Sequence, residues 1–184
     1  MAMTPARVVL TYRDYAALPN DGRRYEIHEG ELSVTAAPGS KHQIVSANLF
    51  RALDAHVRSR GLGRVLYASL DVILSDTTIV QPDIVYVATG QLGQITDRGI
   101  EGPPTLVVEI LSPSTSETDR HTKLEVYARH RIPYYWIVDP DSRSVEVYAL
   151  GEGGDGLAGR IVGDTRVSAE PFPDLALAPA ALWV

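Results

Sequence analysis

Between Thr105 and Leu111 the chain reads TLVVEIL, a continuous apolar and largely β-branched run with one carboxylate, Glu109, inside it. A run without polar alternation is the pattern of a central strand covered on both faces. A charge in that setting is expensive unless it is paired or holds a metal ion. A second stretch repeats the problem, since QPDIVYV over Gln81–Val87 carries Asp83 at the head of an equally apolar strand. Two acids in strands that read as buried ask for one explanation. A shared divalent-metal site would provide it.

Composition bounds the alternatives. At 184 residues the chain is most simply one domain, residues 1–184, long enough to bury a core without staples. Its hydrophobic content of 45% and charged content of 22% are those of an ordinary soluble protein. The absence of cysteine excludes disulfides, thiolate nucleophiles and cysteine-ligated zinc or iron–sulfur sites. No run approaches the roughly 18 apolar residues of a membrane span, and MAMTPARVVLTYRDY lacks a long apolar signal region, so a cytoplasmic protein without membrane contact is expected. The net charge of −6 counts against a broad, non-specific DNA-binding face, although metal-binding carboxylates would themselves add negative charge.

In chain order, Thr11–Asp14 opens a short helix like a capping box with Asp for Glu, ended by Pro19-Asn20-Asp21-Gly22. The segments 24–28 and 31–36 flank the turn signal Glu29-Gly30 and predict a β-hairpin with Glu26 in its first strand. Val45, Leu49, Ala52, Leu53, His56 and Val57 recur at helical spacing over 40–60, and Gly61 and Gly63 stop that helix. Residues 64–67, 70–74 and 84–87 are strand-like, 88–103 reads as a polar surface loop, and a second helix spans about 116–130. Residues 134–138 read as another central strand, followed by a turn at 139–142 and a strand at 144–149. Gly151–Gly159 reads as a glycine-rich hairpin tip, and the tail PFPDLALAPAALW as coil packed across the sheet. Strands before, between and after two helices make an α/β fold with a mixed sheet.

Hard ions such as Mg²⁺ and Mn²⁺ take oxygen ligands, commonly one or two carboxylates with waters. Asp83 and Glu109 on neighbouring strands would provide the pair, and the carbonyl of Ile110 could reach a cation bound beside Glu109. An ammonium nearby would steady charge on the phosphate. The same-face neighbour of Glu109 is Leu111, which cannot do this. Asp119, Lys123 and Tyr127, spaced i, i+4, i+8, share a helical face that could return Lys123 to the carboxylates.

Pro82-Asp83, then Glu109 in an apolar strand, then a lysine, resembles the PD-(D/E)XK nuclease superfamily. The blocks YEIHEGEL, QPDIVYV, LVVEILSPST, Asp119…Lys123…Tyr127 and IPYYWIVDP are similar to the Uma family of restriction-endonuclease-like proteins. The likeness runs from Tyr25 to about Pro140, with an echo in PFPDLAL. It implies a restriction-endonuclease-like mixed β-sheet core flanked by helices, a Mg²⁺- or Mn²⁺-dependent endonuclease acting on DNA, and Asp83 and Glu109 as metal ligands. Glu26 matches the family's acid in the first hairpin. Such enzymes often pair two protomers to cut both strands, so a homodimer is expected. The chain departs from the superfamily signature at Leu111, where the catalytic lysine normally stands. The family has moved that lysine to the helix, here Lys123.

Blander roles stand beside these. Asp83 could simply begin a strand, Glu26 could pair with Arg24, and Asp119–Lys123 could be a surface ion pair worth about 0.3 kcal/mol. His42 either approaches the site or sits in a first helical turn. Gln81, next to Pro82-Asp83, is placed to touch a water shell, and Tyr127 to bond a carboxylate or phosphate. His56, Tyr135 and Trp136 read as core. Two other functions compete with the nuclease: a catalytically inactive nuclease-fold module that binds nucleic acid or protein, and a hydrolase of some other phosphate ester. The latter lacks both GxxxxGK[ST] and GxSxG.

Overall fold

A computed structural model describes residues 8–150, 156–162 and 167–183. Helix α1 (Tyr12–Ala16) is capped as predicted, with the Thr11 amide and hydroxyl each donating to the Asp14 carboxylate at 2.8 Å. Strands β1 (Arg24–His28) and β2 (Glu31–Thr35) form the hairpin. Glu29 and Gly30 lie at φ 52° and 86°, the left-handed pair that a two-residue turn requires. Helix α2 (Ser40–Arg60) closes at Gly61, whose φ of 64° suits a left-handed cap.

The middle of the chain holds more strand than the sequence predicts. After β3 (Gly63–Tyr67) and β4 (Val72–Ser75) come β5 (Thr78–Val80) and β6 (Ile84–Ala88). The predicted surface loop over 88–103 contains a 3₁₀ turn and the short hairpin β7 (Ile95–Thr96) and β8 (Gly99–Glu101). Ile100, fully buried, is the reason that segment folds inward. Strand β9 (Leu106–Ile110) is followed by a π-helical turn (Thr118–Thr122) and helix α3 (Lys123–Arg129), so the second helix begins irregularly. Strands β10 (Tyr134–Asp139), β11 (Ser144–Ala149) and β12 (Gly156–Val162) complete the main sheet. Of the predicted glycine-rich tip, 151–155 lies outside the described residues and 156–159 is strand. The predicted coil of the tail is instead β14 (Phe172–Leu177), paired with β13 (Val167–Ala169). Phe172, Leu175 and Leu177 turn inward there.

The main sheet runs β12-β11-β10-β9-β6-β3, with β9 and β10 parallel at its centre. A second six-stranded sheet, β2-β1-β5-β4-β8-β7, packs nearby and is also mixed. One face of the main sheet buries Val108, Ile110, Trp136 and Val138 against Val45, Leu49, Leu53 and Val57 of α2 and against Phe172. The other buries Val107, Leu111, Tyr135 and Ile137 against Val126 and Tyr127 of α3 and Val72, Val80 and Ile100 of the second sheet. Strand alternation places Glu109 on this second face, toward α3. Among the described residues no helix is long and apolar enough to cross a membrane.

Trp136 is fully buried and its indole N–H donates to the Glu170 carbonyl at 2.8 Å. Trp136→Ala is therefore expected to cost about 3–5 kcal/mol, read as a lower urea midpoint at unchanged slope.

Candidate active site

The register between β6 and β9 sets the site. Ile84 stands opposite Val108 in that antiparallel pair. Continuing by one residue places Asp83 across from Glu109. Glu26 comes from β1 of the second sheet, and Lys123 is the first residue of α3. All four side chains are buried, at 2–4% exposure, yet all line one cavity of about 230 Å³. Arg24, His42, Ile110 and Asp119 share it, and the segments 35–39 and 112–115 form its walls.

Each acid has defined partners. Asp83 Oδ1 accepts two bonds from the Arg24 guanidinium at 3.0 Å. Its Oδ2 faces His42 Nε2 at 3.0 Å and accepts the Ile110 amide at 2.8 Å. Glu109 Oε1 accepts from the Lys123 ammonium at 2.9 Å and from the Tyr127 hydroxyl at 2.7 Å. Lys123 Nζ also lies 3.2 Å from Glu26 Oε2 and 3.4 Å from Asp119 Oδ1. Glu26 Oε1 accepts the Gln81 amide at 2.6 Å, and His28 Nε2 is 3.4 Å from its other oxygen.

Four buried carboxylates, Glu26, Asp83, Glu109 and Asp119, thus face two fixed cations, Arg24 and Lys123. The buried carboxylates outnumber the fixed cations two to one. The acids respond differently. Burial raises Glu109 well above the ordinary glutamate range; Lys123 opposes this, while the charges of Asp119, Asp83 and Glu26 add to it. Burial also raises Asp119, against the pull of Lys123. Glu26 goes the other way, because Lys123, His28 and the Gln81 amide together overcome its burial. Asp83 is likewise held low, despite burial, by His42, Arg24 and the Ile110 amide. Lys123 stays charged although buried, since Glu109, Glu26 and Asp119 surround it.

The structure brings Glu26, Asp83, Glu109 and Lys123 together, with Ile110 beside them. It corrects two blander readings. Arg24 pairs with Asp83 and not with Glu26, because it points across to the head of β6. The Asp119–Lys123 pair is buried, at 2% and 4% exposure, and is no surface bridge. His42 reaches the site through Asp83, and Tyr127 bonds Glu109. Gln81 contributes its backbone amide, while its side chain turns outward to Asp71 and Tyr15. His56 packs edge-on against Phe172 in the core. Sequence reasoning missed Arg24 and Asp119 as site residues. The i, i+4 spacing of Asp119 to Lys123 was the one available signal.

Among the described residues no group of three or more His, Asp or Glu side chains is arranged to hold an ion. The donor set fits a sparser kind of site, in which two carboxylates hold a hard cation that keeps its waters and borrows substrate oxygens. Asp83 and Glu109 facing one cavity, and the surplus of carboxylates over fixed cations there, match that kind.

No curated protein matches this chain. The crystal structure of a "putative nuclease belonging to DUF820" from Anabaena variabilis is similar to it, with a TM-score of 0.76 at 22% identity, covering 94% of this chain and 97% of that one. At that identity the likeness speaks for the fold alone. The model of the Uma2 family, described as "Putative restriction endonuclease", matches residues 12–180, nearly the whole chain, and the chain therefore belongs to that family.

Proposed function

We propose that this protein is a Mg²⁺- or Mn²⁺-dependent endonuclease that hydrolyses phosphodiester bonds in DNA. The observation that carries this reading is the crowding of four buried carboxylates, two more than the fixed cations beside them, around one cavity with a committed ammonium. Asp83, Glu109 and the Ile110 carbonyl would hold the ion. Such an ion, when bound, offsets charge on a phosphate and lowers the pKa of a coordinated water. The chain's own residues do the rest. Arg24, His42 and the Ile110 amide fix the orientation of Asp83. Lys123 orients the nucleophile and steadies charge on the phosphate in a cavity where such an interaction is strong. Glu26, reaching in from the second sheet, lies 3.2 Å from the Lys123 ammonium and supports that residue. A homodimer is part of the proposal, as two sites are needed to cut both strands together; a light-scattering mass of one chain would reject it.

A second reading, a nuclease-fold module that binds without cutting, draws on the lack of a three-residue metal cluster among the described residues. Calorimetry separates the two. Mn²⁺ titrated into the parent should bind saturably, and Glu109→Gln should lose that binding. A parent with no Mn²⁺ heat, with or without an oligonucleotide present, would move the assignment to the binding module.

A further inference from the structure

An ammonium is neutralised by one carboxylate, yet Lys123 has three around it, at 2.9, 3.2 and 3.4 Å. Three mutually repelling acids on one buried cation are costly as a purely structural device. They make sense if one of the three is destined for another cation. We infer that Glu26 and Asp119 are positioning residues that hold the Lys123 ammonium when Glu109 turns to a divalent ion. The four buried acids then divide into two pairs, Asp83 with Glu109 for the ion and Glu26 with Asp119 for the lysine. This rests on the metal-dependent reading of the cavity given above.

The anchoring of the two residues supports the division. Glu26 gives one oxygen to the Gln81 amide and the other to Lys123. Gln81 is clamped from outside the cavity: its side-chain amide donates to Asp71 at 2.7 Å and to the Tyr15 hydroxyl at 3.0 Å, and that hydroxyl donates to Asp71 at 2.7 Å. Asp119 Oδ1 is buried with no hydrogen-bond partner, and its contact with a cation is the one to Lys123. The backbone of Asp119 is pinned separately, its carbonyl accepting from the Tyr135 hydroxyl at 2.9 Å. A π-helical turn covers the residues between Asp119 and Lys123, a device common at functional sites. Asp83, by contrast, is bonded by Arg24, His42 and Ile110, and its ion pairs among the described residues are with Arg24 and His42, not Lys123. An ammonium has three N–H donors. Once Glu109 turns to the ion, Glu26 and Asp119, now at ion-pair distances of 3.2 and 3.4 Å, take up one N–H each, and the third is free for a phosphate oxygen.

The test compares Glu26→Gln and Asp119→Asn with Glu109→Gln, using Mn²⁺ calorimetry and DNA-cleavage kinetics, with thermal unfolding as the folding control. Glu26→Gln and Asp119→Asn should keep the parent's Mn²⁺ affinity within about threefold. Their kcat should fall by about a hundredfold, the scale of losing one oriented charge-stabilising donor, with KM little changed. Glu109→Gln should lose Mn²⁺ binding itself. In Mg²⁺-saturated protein the Lys123 ammonium NMR signal should persist in the parent and vanish in both holder variants. Tyr15→Phe, which loosens the Gln81 clamp away from the cavity, gives a milder variant: kcat should fall about tenfold at unchanged Mn²⁺ affinity, less than the roughly hundredfold that a full ångström of remote misplacement can cost. The inference is overturned if Glu26→Gln or Asp119→Asn weakens Mn²⁺ as much as Glu109→Gln does, or if neither changes kcat or the ammonium signal. Those outcomes leave the metal-dependent reading standing. A parent that binds no Mn²⁺ and cuts nothing removes both.

Discussion

Lys123→Met is expected to lower the unfolding free energy by about 3–5 kcal/mol at pH 7.5, the scale for breaking a buried ion pair from one side. Lys123 is 4% exposed and within 3.4 Å of three carboxylates that are themselves 2% exposed. Methionine fills much of the same volume but returns no charge. The deficit should shrink as the pH is lowered to 5.5. Acids stripped of their cation have folded-state pKa values above those of the unfolded chain. Stability is then present while they hold protons, below the ordinary glutamate value, and is lost as the pH rises through the folded value. Glu26, whose pKa is held low in the parent, works in the opposite sense and loses its contribution only as the pH falls below that ordinary value. Urea titrations of parent and variant at the two pH values measure the difference. A deficit under about 1 kcal/mol, equal at both, would mean that the lysine is no better than a surface partner.

The second large effect concerns protons and metal together. Burial, with the charges of Asp119, Asp83 and Glu26, keeps Glu109 protonated well above its ordinary range in spite of Lys123. An ion needs the carboxylate, so binding must displace that proton. Mn²⁺ affinity should therefore rise by about tenfold per pH unit below the Glu109 pKa, one proton per ion, and level off above it. Calorimetry in two buffers of different ionisation enthalpy should report about one proton released per ion bound. Affinity that is flat from pH 5.5 to 8, with heats independent of buffer, would show that Glu109 is already ionised in the ion-free cavity.

How much of this was legible in the residues follows from what each signal can encode. Glu109 and Asp83 stood out because a lone acid in an apolar strand has few physical explanations. Lys123 was reachable because helical spacing puts it on one face with Asp119 and Tyr127. The burial of Asp119 was not legible, since the same i, i+4 pair on a solvent face would be written in the same letters. Arg24 was invisible as the partner of Asp83 because 59 residues separate them and the contact depends on how the two sheets pack. That second sheet was missed for a related reason. Strands β5, β7 and β8 have two or three residues each, too short for a period-two pattern to register. The tail misled through its prolines, although Phe172, Leu175 and Leu177 carry the inward face of β14.

The most direct measurement is cleavage of a mixed set of single- and double-stranded DNA by the purified protein in Mg²⁺ and in Mn²⁺. Parent, Glu109→Gln and Lys123→Met are assayed side by side, with chelator as control. The expected result is metal-dependent cutting by the parent that chelator abolishes and both substitutions reduce by at least about a hundredfold. Cutting that survives both substitutions, or a folded, metal-loaded parent that leaves every substrate intact, would contradict the assignment of this cavity as a nuclease site.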